Sequence, residues 1–130
     1  MILRIAQIPV GSMLNFSYIV YDEENGIGVI IDPSWDLQKV LSILDKNNIT
    51  AKYIINTHTH FDHILGNDHI AEITKAEIIQ HEKSTQKKNR SVVDHENVNI
   101  GKINLHVLYT PGYSEDSICL VVNNQIIITG

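Results

Sequence analysis

The chain has few of the features that mark secreted, membrane-spanning or nucleic-acid-binding proteins. Its single cysteine, Cys119, excludes an intramolecular disulfide and favours a reducing compartment. Residues 1–9 lack the features of a signal peptide, and no apolar run is long enough to span a membrane. Ten basic residues against fifteen acidic ones give a net charge of -5, which disfavours nucleic acid as a partner. These absences predict a cytoplasmic protein that binds neither membranes nor nucleic acids.

The composition and the apolar patterning predict one α/β domain spanning residues 1–130. Hydrophobic residues make up 43% and charged residues 19%, as in ordinary globular proteins. A helix is expected after Pro33 with Ser34 as its N-cap, a second helix over 64–75, and a polar helix or loop over 82–90. Turns are expected at Asn25-Gly26 and Asn123-Asn124. The predicted strands cover 2–8, 14–22, 27–32, 52–57, 76–80, 97–100, 103–110, 116–123 and 125–129. This order is typical of a layered fold with at least one sheet covered by helices.

The most informative segment is a histidine-rich motif, His58-Thr59-His60-Phe61-Asp62-His63. His58 and His60 are two residues apart at the end of a predicted strand, which would direct both to the same side of the sheet. Asp62 and His63 follow at the turn, so three imidazoles and a carboxylate converge. These donors suit zinc, iron or manganese. Chance clustering or helix capping is the alternative, and a shuffled sequence would give this pattern about once in a thousand.

Four further histidines are expected to be structural or solvated rather than ligands. His69 falls inside the second predicted helix, and His81 ends a predicted strand. His95 falls in a loop, and His106 lies within a strand.

The motif and its surroundings resemble the metallo-β-lactamase superfamily, in particular the glyoxalase II-like (hydroxyacylglutathione hydrolase-like) hydrolases. The similar segments are 15–20, 29–33, 57–63 with Gly66-Asn67 behind it, and 109–112. The resemblance implies an αβ/βα sandwich of two mixed sheets with helices outside, with the C-terminal part of that fold missing from this chain.

The resemblance also implies a ligand set and a reaction. His58 and His60 would bind one metal, and Asp62 and His63 a second. Asp62 would in addition orient the attacking hydroxide as a base. One or two zinc ions are implied, with iron or manganese as alternatives. The implied reaction is attack of a metal-bound hydroxide on a small thioester or a similar activated carbonyl.

The chain departs from the family pattern at three places, one of which is the absence of a last histidine and of the substrate-binding segment that the family has further on. Tyr113 stands where the Thr-Pro-Gly turn normally presents a third histidine, and neutral tyrosine is a poor zinc ligand. The family's bridging aspartate would come one residue after Gly130. We therefore expect weak or empty metal sites. We also expect a homodimer or higher oligomer, because the second sheet would leave apolar surface exposed.

Three functions stay open at this point. The first is the metal-dependent hydrolase. The second is a catalytically inactive remnant that serves as a binding or assembly module, which Tyr113 favours. The third is a persulfide dioxygenase with a single iron, as in a related branch of the same superfamily. Whether these residues turn over a substrate is therefore left uncertain.

Overall fold

The computed structural model describes residues 1–11, 15–59, 64–112 and 114–129. Its helices are α1, Leu37–Lys46, and α2, Asn67–Thr74. Its strands are β1 Leu3–Val10, β2 Asn15–Asp22, β3 Ile27–Ile31, β4 Thr50–Ile55, β5 Glu77–His81, β6 Arg90–Val92, β7 Asn97–Ile100, β8 Ile103–Tyr109, β9 Ile118–Val122 and β10 Ile126–Ile128. Neither helix is long and apolar enough to span a membrane.

The strands form two sheets, which confirms the predicted α/β class. The first sheet has the order β1-β2-β3-β4-β5-β6; β1 to β3 are antiparallel, and β3 to β6 are parallel. The second has the order β10-β9-β8-β7, and its described strands are all antiparallel. The first sheet is therefore mixed, as the resemblance implies, whereas the second is antiparallel in the part described.

Two apolar cores explain the layering. The strands β3, β4 and β5 each contain adjacent apolar residues that are buried, as expected for strands covered on both faces. Successive side chains point to opposite faces, so each strand contributes to both cores. The core between the sheets includes Val29, Ile31, Ile55, Ile79, Leu105, Val107, Leu120 and Val122. The core between the first sheet and the helices includes Ile30, Ile54, Ile78, Val40, Leu44 and Ile70. The described layers are thus helices, first sheet and second sheet.

The start of α1 differs from the prediction. Ser34 is not the N-cap; its side chain is buried, at 2% exposure, and the helix begins only at Leu37. Asp36 occupies the cap position in a left-handed conformation, with φ 52°. Its carboxylate accepts a hydrogen bond from the backbone N–H of Gly11 at 2.9 Å instead of capping the helix. The helix start is therefore tied to the end of β1, a contact distant in sequence.

Other boundaries were only partly predicted. β4 ends at Ile55 rather than at residue 57, and α2 covers a shorter range than 64–75. The strand β6 was missed, because Arg90 fell in the predicted polar segment 82–90 and its other two residues lay between that segment and the next expected strand. Both predicted turns are confirmed: Gly26 has φ 68°, and Asn123 and Asn124 have φ 47° and 59°.

Candidate metal site

The described part of the histidine motif lies in the loop that follows β4. His58 is buried there, at 3% exposure. Because β4 ends three residues before it, the argument that strand alternation directs His58 is wrong. His60, Asp62, His63 and Tyr113 fall outside the described residues, so their roles as ligands stay predictions.

Asp32 fixes the residue immediately before His58. It follows β3, and its carboxylate accepts two hydrogen bonds from Thr57: from the backbone N–H to Oδ1 at 2.8 Å and from Oγ1 to Oδ2 at 2.6 Å. The Ser17 hydroxyl donates to the Asp32 carbonyl at 2.7 Å. All three residues are buried. Since β3 and β4 are parallel, their carboxyl ends meet at one sheet edge, which brings Asp32 to the motif.

Asp116 fixes the residue immediately after His58. The Thr59 hydroxyl donates a short hydrogen bond to Asp116 Oδ2, and Ser114 Oγ donates to Oδ1 at 2.7 Å. Burial works to raise the pKa of Asp116, but the hydrogen bonds from Thr59 and Ser114 outweigh it, so the pKa lies below its ordinary value. The carboxylate is therefore ionised at neutral pH and accepts both hydroxyls.

The second sheet also contacts the motif loop through its backbone. The N–H of Ile118, the first residue of β9, donates to the carbonyl of Thr57 at 2.7 Å. Thr57 is thus held both by Asp32 after β3 and by the first residue of β9, and Thr59 is held by Asp116 in the segment that precedes β9. His58 lies between them, where the edges of the two sheets meet.

A buried amide network brackets the histidine motif in sequence. Asn56 and Asn67 exchange two side-chain hydrogen bonds, with Nδ2 to Oδ1 distances of 3.2 and 2.7 Å. Gln80 at the end of β5 donates to Asn56 Oδ1 at 2.8 Å and accepts from Ser84 Oγ at 2.6 Å. The residue two before His58 is thereby joined to the first residue of α2, so both ends of the motif segment are anchored.

His81 lies at the end of β5 and acts as a packing group and a hydrogen-bond acceptor. Its ring stacks on Tyr109 with centroids 4.1 Å apart and planes 6° apart. Its Nδ1 accepts the backbone N–H of Lys83 at 3.0 Å. Burial lowers the pKa of His81, which favours the neutral ring that this acceptor role requires. The expectation of a structural role for His81 agrees with these contacts.

The described donors fit a transition-metal site in their chemistry. The described residues hold no group of three or more His, Cys, Asp and Glu side chains arranged around a metal position. His58 is, however, a buried imidazole in a loop whose neighbouring residues are fixed, which suits a nitrogen ligand of zinc. Sequence reasoning gave no role to Asp32, Thr57 or Asp116, because only the fold brings them together.

Comparison with known proteins identifies the family. The sequence profile described as Metallo-beta-lactamase superfamily matches residues 11–124. The hydroxyacylglutathione hydrolase of Rhodospirillum rubrum is 36% identical over 103 residues, which are 77% of this chain and 40% of that protein. The probable polyketide biosynthesis zinc-dependent hydrolase PksB of Bacillus subtilis is 27% identical over 118 residues, 86% of this chain and 52% of that protein. The chain spans about half the length of the curated relatives it matches.

Solved structures agree with this family. The crystal structure of ETHE1 from Myxococcus xanthus superposes with a TM-score of 0.89 at 27% identity, covering 100% of this chain and 57% of that chain. The BLEG-1 B3 metallo-beta-lactamase superposes with a TM-score of 0.88 at 22% identity, covering 98% of this chain and 71% of that one, and supports the fold alone. From the profile match and the shared fold, the chain belongs to the metallo-beta-lactamase superfamily and is similar to its hydroxyacylglutathione hydrolases.

Proposed function

We propose that the chain carries the metal-binding part of a metal-dependent hydrolase that cleaves a small thioester. The single observation that carries this proposal is the buried imidazole of His58, whose neighbours Thr57 and Thr59 are both held by hydrogen bonds. Several relatives are named hydroxyacylglutathione hydrolases, and their substrate class is taken as the proposed one. A hydroxyacylglutathione is a thioester, whose carbonyl is activated toward attack by water.

The proposed ligands are His58 and His60 for one ion, and Asp62 and His63 for a second. Zinc, when bound, would lower the pKa of a water molecule and polarise the substrate carbonyl. Asp62 is proposed to orient the attacking water and to accept its proton. As the water oxygen bonds to the carbonyl carbon, the carbon–sulfur bond breaks and the thiolate leaves.

The hydrogen bonds around His58 support its role as a metal ligand, because they restrict the motif loop before any metal ion binds. Thr57 is held by Asp32 and by the Ile118 N–H, and Thr59 is held by Asp116. A metal-coordinating side chain whose neighbouring residues are already fixed loses less conformational entropy when it binds a metal ion. We expect the partners of these threonines to affect metal affinity by roughly ten- to a hundredfold, the range seen for residues that orient metal ligands.

Zinc titration of the whole chain tests the ligand set. Competition with a chromophoric chelator would measure affinity for the unaltered chain, for His58→Ala and for His69→Ala, whose histidine is exposed on α2. We expect His58→Ala to weaken zinc binding at least tenfold and His69→Ala to leave it unchanged. Tyr113→His is expected to tighten binding at least tenfold, because imidazole replaces a phenol that must lose a proton to ligate.

Catalysis is tested with the same variants. Hydrolysis of a hydroxyacylglutathione, followed by thiol release, should depend on His58 and increase in Tyr113→His. Equal zinc affinity in the unaltered chain and in His58→Ala would contradict the ligand assignment. Zinc binding with no thioester cleavage in Tyr113→His would contradict the hydrolase reaction.

A persulfide dioxygenase with a single iron is the second candidate. The match to ETHE1 over the whole described fold supports keeping it. The same donors can hold iron, since imidazole and carboxylate suit both metals. Iron content after anaerobic loading, and oxygen uptake with a persulfide, would separate it from the hydrolase. A chain that bound no metal and showed neither activity would favour a binding or assembly module.

We further propose that the chain forms homodimers or higher oligomers in the cytoplasm through the outer face of its second sheet. On β9 and β10, the two strands of that sheet farthest from β7, the side chains that alternate with core residues include Cys119, Val121 and Ile127, and Ile127 is 62% exposed. Ile127→Lys should shift light-scattering mass toward the monomer, whereas Ile73→Lys, on exposed α2 surface, should not. A monomer at all concentrations in the unaltered chain would contradict this proposal.

A further inference from the structure

A pair of histidines outside the motif lies at the second sheet. His106 is in β8, where it alternates with the buried core residues Leu105 and Val107, so it faces away from the core. His95 is in the loop before β7, and its side chain is 69% exposed. His95 Nδ1 and His106 Nε2 are 3.3 Å apart, and the ring centroids are 5.4 Å apart. Neither residue belongs to the histidine motif.

The backbone holds His95 beside β8. His95 has φ 65°, a left-handed conformation that is uncommon for non-glycine residues. Its N–H donates to the carbonyl of Val107 at 2.7 Å, and the N–H of Val107 donates to the carbonyl of Glu96 at 2.8 Å. The approach of the two rings therefore results from a fixed backbone and not only from side-chain rotation.

The outer nitrogen of each ring faces an oxygen. His106 Nδ1 is 3.0 Å from Oδ1 of Asn97, its cross-strand partner, and His95 Nε2 is 3.4 Å from Oδ2 of Asp94. Each oxygen is an acceptor, so it favours a proton on the nitrogen it faces. With a proton on one inner nitrogen, the two rings share a hydrogen bond at 3.3 Å. With both protons on the outer nitrogens, each inner nitrogen has a lone pair that can bind a cation.

The spacing of the inner nitrogens matches that of two ligands on one metal ion. With zinc–nitrogen distances of about 2.05 Å and a tetrahedral angle, two imidazole nitrogens are about 3.3 Å apart. Histidine ligands usually donate the other ring N–H to a carboxylate or an amide carbonyl, as Asp94 and Asn97 allow here. We propose that His95 and His106 form a second metal site, which binds a divalent transition ion such as zinc, with water as the remaining ligands.

Nuclear magnetic resonance of the imidazole groups in the whole chain tests the site directly. During zinc titration, the ring nitrogens of His95 and His106 should shift together, at the same zinc concentration. The titration is repeated in His58→Ala, which removes a proposed ligand of the motif. Since the two sites share no residue, the paired shifts should persist there even if the proposed hydrolase site is wrong.

Variants then define the ligands. His106→Asn and His95→Asn should each abolish the zinc shift of the remaining partner, and His69→Asn should leave both shifts unchanged. Asn97→Ala should weaken binding roughly tenfold or more, as expected for a residue that orients a ligand. If neither ring shifts at millimolar zinc, the proposal is wrong, and His95 and His106 share only a proton. A shift of one ring alone, or loss of both shifts in His58→Ala, would also overturn it.

Discussion

Replacing Thr57 with valine tests whether the carboxylate of Asp32 anchors the motif loop. Valine keeps the branched shape of threonine but removes the hydroxyl that donates to Asp32 Oδ2 at 2.6 Å. The second hydrogen bond, from the Thr57 N–H to Oδ1 at 2.8 Å, is unaffected because it comes from the backbone. The substitution therefore removes one of the two hydrogen bonds from Thr57 to a buried carboxylate.

The expected loss follows from the charge and burial of the acceptor. A hydrogen bond to a charged group contributes about 1.5–3 kcal/mol to stability. Both residues are buried, so water does not replace the lost donor. We therefore expect the free energy of unfolding to fall by about 2 kcal/mol. At a urea m-value of about 2 kcal/mol/M, the unfolding midpoint should fall by about 1 M.

Urea unfolding followed by circular dichroism measures this difference. The matched control is Thr50→Val, which makes the same change at an exposed threonine at the start of β4, the strand that precedes Thr57. The control should stay within about 0.5 kcal/mol of the unaltered chain. If Thr57→Val is as stable as Thr50→Val, the Asp32–Thr57 contact does not anchor the loop, and the support assigned to the metal site is wrong.

Two further predictions concern residues near the same sheet edge. Burial lowers the folded-state pKa of His81, so the unfolded chain binds more protons, and stability should fall as pH drops below about 6.5 and through the folded pKa. Unfolding curves from pH 7.5 to 5 should show a smaller loss of stability in His81→Asn than in the unaltered chain. An identical pH profile in the two proteins would contradict this prediction. Gly66→Ala would place a Cβ 2.4 Å from Leu37 Cδ2, so we expect a loss of about 1–3 kcal/mol, which an unchanged melting temperature would refute.

The strands of the fold were largely predictable because their burial follows simple patterns. The apolar residues of segments 27–32, 52–57 and 76–80 predicted strands, and the structure has β3, β4 and β5 there. The turns at Gly26 and at Asn123-Asn124 were predictable from residues that tolerate positive φ. The start of α1 was not, because Asp36 bonds the distant Gly11 N–H, and no local signal reveals that contact.

The donors of the candidate site stay a prediction from the spacing of the histidine motif, and of these residues the structure describes His58. The hydrogen bonds that support His58 could not be predicted. Asp116 lies 57 residues after Thr59, and nothing in the sequence joins the two. The same holds for His95 and His106, which read separately as a loop residue and a strand residue. Pairs of this kind depend on the register of β8 against its neighbours, which only the fold defines.

The contacts around His58 indicate that the second sheet supports the proposed metal site and is not only a cover for the first sheet. Asp116 and the Ile118 N–H both lie in the segment that leads into β9, and each holds a threonine next to His58. That segment also contains Ser114, directly after Tyr113, and Ser114 donates to the same carboxylate as Thr59. A change at residue 113 can therefore alter the motif loop through Asp116 as well as through any ligand it supplies or withholds. Tyr113→His would supply an imidazole ligand, whereas Tyr113→Phe would not. Comparing these two variants therefore separates the effect of residue 113 as a metal ligand from its effect on the motif loop through Asp116.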